Sequence, residues 1–139
     1  MKTATLYSDG GARGNPGPAG IGYVLTLAEG KVISRGEYIG ETTNNVAEYQ
    51  ALRAGLKLAQ IENVTHLQCF LDSELVVKQL NGAYRVKNLG MKVLYDDVQA
   101  LVQQFQRVTF SHVLRAKNKA ADKLVNAALD KRGQVTLTN

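Results

Sequence analysis

The sequence has few of the features that mark secreted or membrane proteins. Its 139 residues include no tryptophan and one cysteine, Cys69, which cannot form an internal disulfide. No apolar run approaches the ~20 residues that a membrane-spanning helix needs. The N-terminus becomes acidic and glycine-rich too early to hold the apolar region of a signal peptide. We therefore expect a cytoplasmic protein with no membrane partner, and since no segment calls for a second copy, a monomer.

Acidic residues are also scarce relative to basic ones. The chain carries 12 Asp and Glu against 17 Lys and Arg, a formal net charge of +5. Such an excess is compatible with a polyanionic partner such as nucleic acid. Hydrophobic residues make up 45% and charged residues 21%, which is typical of a soluble globular chain. The length suits one domain, which we place at residues 1–130, with a polar C-terminal tail at 131–139.

The order of the sequence patterns predicts an α/β domain in which an early antiparallel meander is followed by alternating strands and helices. The predicted strands are residues 2–8, 21–27, 32–39, 67–71 and 108–114, and the predicted helices are residues 46–61, 74–80, 91–105 and 118–129. Residues 10–20, GGARGNPGPAG, are so rich in glycine and proline that a loop is expected there.

Four carboxylates stand where an unpaired charge is unfavourable: Asp9, Glu48, Asp72 and Asp122. Asp9 and Asp72 follow apolar runs that read as buried strands, and the other two lie on helical faces of apolar or small residues. If the fourth strand lies beside the first, all four can converge. Because a desolvated carboxylate needs a partner and no matching basic set exists, the pattern favours a hard divalent cation such as Mg²⁺. Taken singly, each also has a simpler reading, as a turn, cap or capping-box residue.

Four motifs together resemble the type 1 ribonuclease H family, and they occur in its order and spacing. They are YSDGGARGNPGPAGIG, TTNNVAEYQAL, FLDSELVV and RAKNKAADKL, and together they cover nearly the whole chain. The resemblance implies a ribonuclease H-like fold with a central five-stranded mixed sheet flanked by helices. It also implies an endoribonuclease that hydrolyses the RNA strand of RNA–DNA hybrids by a two-metal-ion mechanism and leaves 5′-phosphate and 3′-hydroxyl ends.

The resemblance also implies roles for the four acids as catalytic metal ligands. Asp9 resembles the carboxylate that bridges two Mg²⁺ ions, for which Mn²⁺ is a substitute. Glu48 and Asp72 look like ligands of the ion on the side of the attacking water, or shared with it, and Asp122 like a ligand that helps one ion. Two such ions, about 3.5–4 Å apart, activate the attacking water and stabilise the leaving oxygen.

Substrate contacts carry over from the family's motifs in the same way. Asn15 and Asn44 look like residues that meet the minor groove, where the 2′-hydroxyl distinguishes RNA from DNA. Thr43 looks like a contact to a DNA phosphate at a helix N-terminus. The glycines around Asn15, including Gly11, permit close approach of a nucleic acid to the backbone. The simpler readings are turn residues and ordinary helix caps.

The chain departs from the family in two segments. The loop histidine that many members carry before the last aspartate is absent, and Arg115, Lys117 and Asn118 are the candidate substitutes, while His112 reads as a structural residue. A basic protrusion of some bacterial members is replaced by the short segment AYRVKNLGMK at residues 83–92.

Two other functions compete with hydrolysis of a hybrid. One is a related nuclease that acts on duplex RNA or another structured nucleic acid. The other is a non-catalytic module that only binds hybrids. The four carboxylates argue against a pure binding module, because binding alone does not require clustered acids next to a polyanion.

Overall fold

The computed structural model describes residues 1–138, which form a six-stranded mixed sheet flanked by helices. The strands are β1 (Thr3–Ala12), β2 (Gly17–Leu27), β3 (Val32–Thr42), β4 (His66–Leu71), β5 (Arg107–His112) and β6 (Gln134–Thr138). Their spatial order is β5-β4-β1-β2-β3-β6. The β1–β4 and β4–β5 pairs are parallel, and the other pairs are antiparallel.

Four α-helices connect or cover the strands. They are α1 (Asn44–Ile61), α2 (Glu74–Leu80), α3 (Leu89–Val102) and α4 (Lys119–Lys131), and a 3₁₀ turn at Arg115–Lys117 precedes the last. The first three begin with a side chain that accepts a hydrogen bond from a backbone N–H of the first turn: Thr43, Ser73 and Asn88. Across residues 1–138, no helix is both long and apolar enough to cross a bilayer.

The hydrophobic core lies between the sheet and helices α1, α2 and α3. Leu6 and Leu25 from the strands meet Leu52 and Leu56 from α1, and all four side chains are completely buried. Burying one such side chain stabilises the fold by about 1.5–3 kcal/mol. This core holds α1 rigidly against β1, the strand that carries Asp9.

Two glycines let the helices approach the two faces of the sheet at backbone distance. A Cβ atom on Gly10 would collide with the backbone of Ala47 in α1, and one on Gly22 would lie 2.8 Å from Cβ of Leu124 in α4. Gly22 pairs with Asp9 across β1 and β2, so α1 and α4 lie on opposite faces of the sheet. The loop expected over residues 10–20 is shorter than predicted, because β1 continues to Ala12 and β2 begins at Gly17, which leaves residues 13–16 between the strands.

The sixth strand corrects the predicted strand count of five. Residues 134–138, which the sequence suggests as part of a polar tail, form β6 and pair antiparallel with β3. Arg132 adopts a left-handed conformation with φ of 53° and turns the chain back from α4 toward β3. The segment QVTLT has strand-forming residues, but it is too short and polar to be distinguished from a tail by its pattern. Asn139 lies outside the described residues.

Candidate metal and nucleic-acid site

Three of the predicted carboxylates converge where the parallel pairing of β1 with β4 ends. The register pairs Ser8 of β1 with Leu71 of β4, which places Asp9 and Asp72 side by side. Glu48 projects toward them from the first half of α1. One carboxylate oxygen from each of the three lies within 4.8 Å of the others. The pairing of the first and fourth strands therefore assembles the cluster expected from the sequence.

The fourth carboxylate, Asp122, belongs to the same cleft but stands at its rim. It lies in the first turn of α4, and its side chain is 33% exposed. It lines the cleft with the other three acids, in a cavity of roughly 390 Å³. Its Oδ1 is 3.8 Å from Nη2 of Arg115. Asp122 thus lines the same cleft but is not one of the three carboxylates whose oxygens lie within 4.8 Å of one another.

Burial makes charge on Asp9 and Glu48 unfavourable. The two residues are 7% and 6% exposed. Burial raises the pKa of Asp9 to about 7; the hydrogen bond with Glu48 opposes this, and the charges of Asp72 and Asp122 add to it. Burial also raises the pKa of Glu48 well above its ordinary value, aided by Asp9. The metal-free cluster therefore holds protons at pH values where isolated carboxylates are ionised.

The donor set fits a hard divalent cation. The backbone N–H of Gly10 donates to Oε1 of Glu48 at 3.1 Å, whereas the buried Oε2 has no hydrogen-bond partner among the described residues. An orphaned carboxylate oxygen beside two further carboxylates is suited to a hard divalent ion that prefers oxygen ligands, as Mg²⁺ and Mn²⁺ do. Over residues 1–138, neither Asp9 nor Glu48 has an ion pair with Lys, Arg or His.

The four predicted substrate residues lie around the N-terminus of α1. Oδ1 of Asn44 accepts from the backbone N–H of Ala12 at 2.8 Å, and Oδ1 of Asn15 accepts from the backbone N–H of Asn44 at 3.0 Å. Thr43 caps the helix, since its Oγ1 accepts from the N–H of Val46 at 3.3 Å. Asn44 is therefore not the cap. Gly11 and Asn44 line the cleft, while Asn15 is exposed beside it.

Only one candidate substitute for the missing histidine stands at the cleft. Arg115 is exposed and lines it. Lys117 lines a different pocket with Tyr7 and Val24. The suggestion of Asn118 is wrong, because its side chain is 1% exposed and cannot reach a substrate as a loop histidine would. His112 ends β5 with an exposed side chain.

Asn118 contacts the site in another way, which the sequence does not reveal. Its Nδ2 donates to the backbone carbonyl of Ser8 at 2.9 Å and to Oδ2 of Asp72 at 3.1 Å. These partners are distant in sequence, so the local pattern indicates only an ordinary helix start. The one signal of this contact is the burial of a polar side chain. That burial becomes visible only when the tertiary fold is known.

The segment that replaces the basic protrusion is largely exposed. Lys92 forms an ion pair with Asp96 at 2.6 Å one turn along α3, and Nζ of Lys78 lies 3.3 Å from the hydroxyl of Tyr84. Surface pairs of this kind contribute little to stability. The segment presents the exposed cations Arg85, Lys87 and Lys92.

Comparison with known proteins gives consistent matches. The model of the family described as reverse transcriptase-like matches residues 7–128. A bifunctional protein of Mycobacterium tuberculosis is 44% identical over 131 residues, which cover 93% of this chain and 36% of that protein. A ribonuclease HI of Halobacterium salinarum is 41% identical over 125 residues, covering 89% of this chain and 63% of the relative. The chain thus spans between about a third and two thirds of these relatives' length.

Solved structures agree over nearly the full length of the chain. The N-terminal RNase H domain of the Mycobacterium tuberculosis protein superposes with a TM-score of 0.90 at 42% identity, covering 94% of this chain and 96% of the other. LC11-RNase H1, solved in complex with an RNA/DNA hybrid, gives a TM-score of 0.87 at 42% identity, with 93% and 98% covered. The fold inferred from the motifs is therefore confirmed.

Replacing Asp9 by asparagine is expected to stabilise the metal-free protein above neutral pH. In the unfolded chain this carboxyl titrates near its ordinary pKa of 3.8, but in the folded chain near 7. Between these values the folded state binds more protons, so the group's contribution to stability is complete below the lower pKa and is lost as the pH rises through the higher one. Above that range, Asp9→Asn should be more stable than the parent by about 2–4 kcal/mol.

Urea unfolding with a chelator, repeated from acidic to alkaline pH, measures this difference. Asp97→Asn is the control, because Asp97 is half-exposed in a surface ion pair with Arg53. Because Asp97 lies outside the buried cluster, a gain in stability that Asp97→Asn shares with Asp9→Asn would not be due to burial. If the free energies of unfolding of the parent and of Asp9→Asn change with pH in the same way, the pKa of the buried Asp9 carboxyl is not raised.

Proposed function

Because the chain belongs to the reverse transcriptase-like family, and within it to the type 1 ribonuclease H proteins, we propose that it hydrolyses the RNA strand of RNA–DNA hybrids. The observation that carries this proposal is the convergence of Asp9, Glu48 and Asp72 within 4.8 Å, with Asp122 across the same cleft. The family membership supplies the reaction class, and this cluster supplies the residues that the reaction requires. The cut leaves a 5′-phosphate and a 3′-hydroxyl.

The four carboxylates are proposed to hold divalent cations, normally Mg²⁺ with Mn²⁺ as a substitute. When bound, two such ions supply an activated water and stabilise the charge on the leaving oxygen. The contribution of the protein is to fix the ligands in advance. Asp9 and Asp72 are fixed by adjacent strands, and Glu48 by the N–H of Gly10. Excluding water from this buried corner strengthens every electrostatic interaction within it.

The N-terminus of α1 is proposed to read the hybrid. The oxygens of Asn15 and Asn44 already accept backbone hydrogen bonds, so their NH₂ groups, which have no partner among residues 1–138, remain as donors. An amide donor suits the 2′-oxygen of ribose and the acceptors in a minor groove. Gly11 lacks a side chain that would block the groove. Thr43, at the N-terminus of α1, suits a phosphate, because the helix dipole favours an anion there.

Arg115, which lines the same cleft, is proposed to interact with the scissile phosphate. Its side chain is 83% exposed and lies 3.8 Å from Asp122. A guanidinium there offsets negative charge without entering the buried cluster. The +5 net charge of the chain further favours a polyanion.

The setting of this activity is part of the same proposal. A monomer in the cytoplasm is proposed, with residues 1–130 as the catalytic domain, to whose sheet β6 adds an edge strand. What supports a reducing compartment is that Cys69 is buried and has no partner cysteine.

The decisive assay incubates the purified chain with end-labelled RNA–DNA, RNA–RNA and DNA–DNA duplexes, with Mg²⁺ or with a chelator. We expect cleavage of the RNA strand of the hybrid only when Mg²⁺ is present. Glu48→Gln, which keeps the shape but removes the charge, should lower the rate by at least ~100-fold, the usual scale for losing a group that stabilises transition-state charge.

Each other outcome has a defined meaning. Equal cleavage of duplex RNA would favour the broader nuclease. Tight binding of the hybrid without cleavage under any metal would favour the binding module. Cleavage that survives both chelator and Glu48→Gln would contradict the metal site itself.

Asn44→Asp is expected to reduce recognition of ribose. The change keeps the oxygen that accepts from Ala12 but removes the NH₂ donor, and Thr43 still caps α1. Loss of one neutral hydrogen bond of about 0.5–1.5 kcal/mol corresponds to a fall of roughly 2- to 10-fold in kcat/KM. Replacing ribose by 2′-deoxyribose at the contacted positions should then lower the kcat/KM of the parent more than that of the variant.

Asn45→Asp is the matched control, because it adds the same charge at the neighbouring position on the cleft. Equal losses of kcat/KM in both variants would indicate a charge effect. If 2′-deoxyribose lowers kcat/KM equally in the parent and in Asn44→Asp, Asn44 does not contact the 2′-hydroxyl.

A further inference from the structure

A single buried amide joins the elements that carry the proposed metal ligands. We propose that Asn118 is a positioning residue that fixes the carboxylate of Asp72 for cation binding, an inference that rests on the proposed metal-dependent function. The side chain is 1% exposed. Its Nδ2 lies 2.9 Å from the carbonyl oxygen of Ser8 and 3.1 Å from Oδ2 of Asp72.

Chemistry fixes the orientation of this amide. A carbonyl and a carboxylate can only accept hydrogen bonds, so the NH₂ end must face both, and both of its hydrogens are used. Ser8 directly precedes Asp9 in β1, and Asp72 directly follows β4. One side chain therefore ties β1 to the end of β4 at the point where the parallel pairing of these two strands ends.

The backbone of the same residue extends this connection to α4. The carbonyl oxygen of Asn118 accepts from the N–H of Asp122 at 3.1 Å. Asp122 stands in the first turn of that helix. Asn118 thus contacts Asp72 through its side chain and Asp122 through its main chain.

Helix capping does not account for this side chain. Asparagine at the start of a helix ordinarily accepts a hydrogen bond from the helix backbone, as Asn88 does for α3 with the N–H of Met91 at 3.0 Å. Asn118 stands at the same position of α4 but makes no side-chain cap bond. Its Oδ1 is buried without a hydrogen-bond partner among residues 1–138. The side chain therefore does not cap α4 and leaves its Oδ1 acceptor unsatisfied, while its Nδ2 binds Asp72.

The consequence for the site is restraint of one ligand. A hydrogen bond to Oδ2 limits rotation of the Asp72 carboxylate and leaves its other oxygen available to a cation. Groups that hydrogen-bond to metal ligands in this way typically change metal affinity or activity by about 10- to 100-fold when removed. The effect is expected on cation binding first and on cleavage as a result.

The test compares two asparagine variants of the full chain, Asn118→Ala and Asn81→Ala. Asn81 also donates its Nδ2 to a strand, at 3.1 Å to the carbonyl of Phe110, and it does not line the cleft. Affinity for Mn²⁺ is measured by calorimetry without substrate. We expect Asn118→Ala to weaken Mn²⁺ binding about 10-fold or more, while Asn81→Ala leaves it unchanged. In hybrid cleavage, Asn118→Ala should need more Mn²⁺ and recover part of its rate at saturation.

A double-mutant cycle separates positioning from general support of the fold. In an Asp72→Asn background, Asn118→Ala should add little further loss of Mn²⁺ affinity, because the ligand that it positions has lost its charge. The same loss in both backgrounds, or unchanged Mn²⁺ affinity in Asn118→Ala, would overturn the proposal.

Two measurements cover the remaining cases. If Asn118→Ala does not fold, the side-chain amide NMR signals of the parent are followed as Mg²⁺ is added. The Asn118 signals should shift while those of Asn81 do not. Unshifted Asn118 signals would overturn the proposal. A parent that binds Mn²⁺ but cleaves no hybrid would contradict the proposed function and still leave the positioning test readable. A parent that binds no Mn²⁺ would overturn both.

Discussion

The structure is organised around a group of buried carboxylates that cannot all be charged without a cation. Asp9 and Glu48 are almost completely buried, and each has an oxygen within 4.8 Å of the other and of Asp72. Desolvation and mutual repulsion both oppose ionisation in such a group. This arrangement lowers the stability of the metal-free protein, and a bound divalent cation offsets that loss.

The rest of the fold holds the carboxylates in this arrangement. Parallel pairing of β1 with β4 sets Asp9 beside Asp72, and Gly10 lets α1 approach closely enough for Glu48 to reach both. Gly22 allows the same close approach of α4 on the other face. Asp9 and Glu48 are therefore held within a packed strand and a packed helix, and Asp72 directly after a packed strand, which limits their motion before any cation binds. Polar contacts of Asn118 complete the framework where the strands end.

The residues proposed to recognise a nucleic acid lie on a different part of the same surface. The amides of Asn15 and Asn44 form a chain of hydrogen bonds from the β1–β2 connection to the start of α1. Each oxygen is held by a backbone N–H, so each NH₂ group is directed outward with little conformational freedom. In the proposed function, this preformed edge selects ribose, and the carboxylates a few residues away carry out the cut.

Features that depend on local order were predictable from the sequence. Asp9 and Asp72 could be placed together because both follow apolar strands, and Glu48 because it shares a helical face with residues that point at the sheet. Features that depend on tertiary contacts were not. Gly10 reads as part of a turn because its actual use, close contact with the backbone of α1, involves residues distant in sequence. Strand β6 is defined by its pairing with β3, and the role of Asn118 by two strands far from it in the chain.

The most direct test of this account is the number of protons released when the metal binds. Calorimetry of Mg²⁺ or Mn²⁺ binding, in buffers with different enthalpies of ionisation, gives that number at each pH. Since burial raises the pKa of Asp9 to about 7 and also raises that of Glu48, binding should release protons at neutral pH, more of them as the pH falls below 7. Binding without proton release throughout this range would show that the carboxylates are already ionised, or that the cation binds elsewhere, and either result would contradict the account.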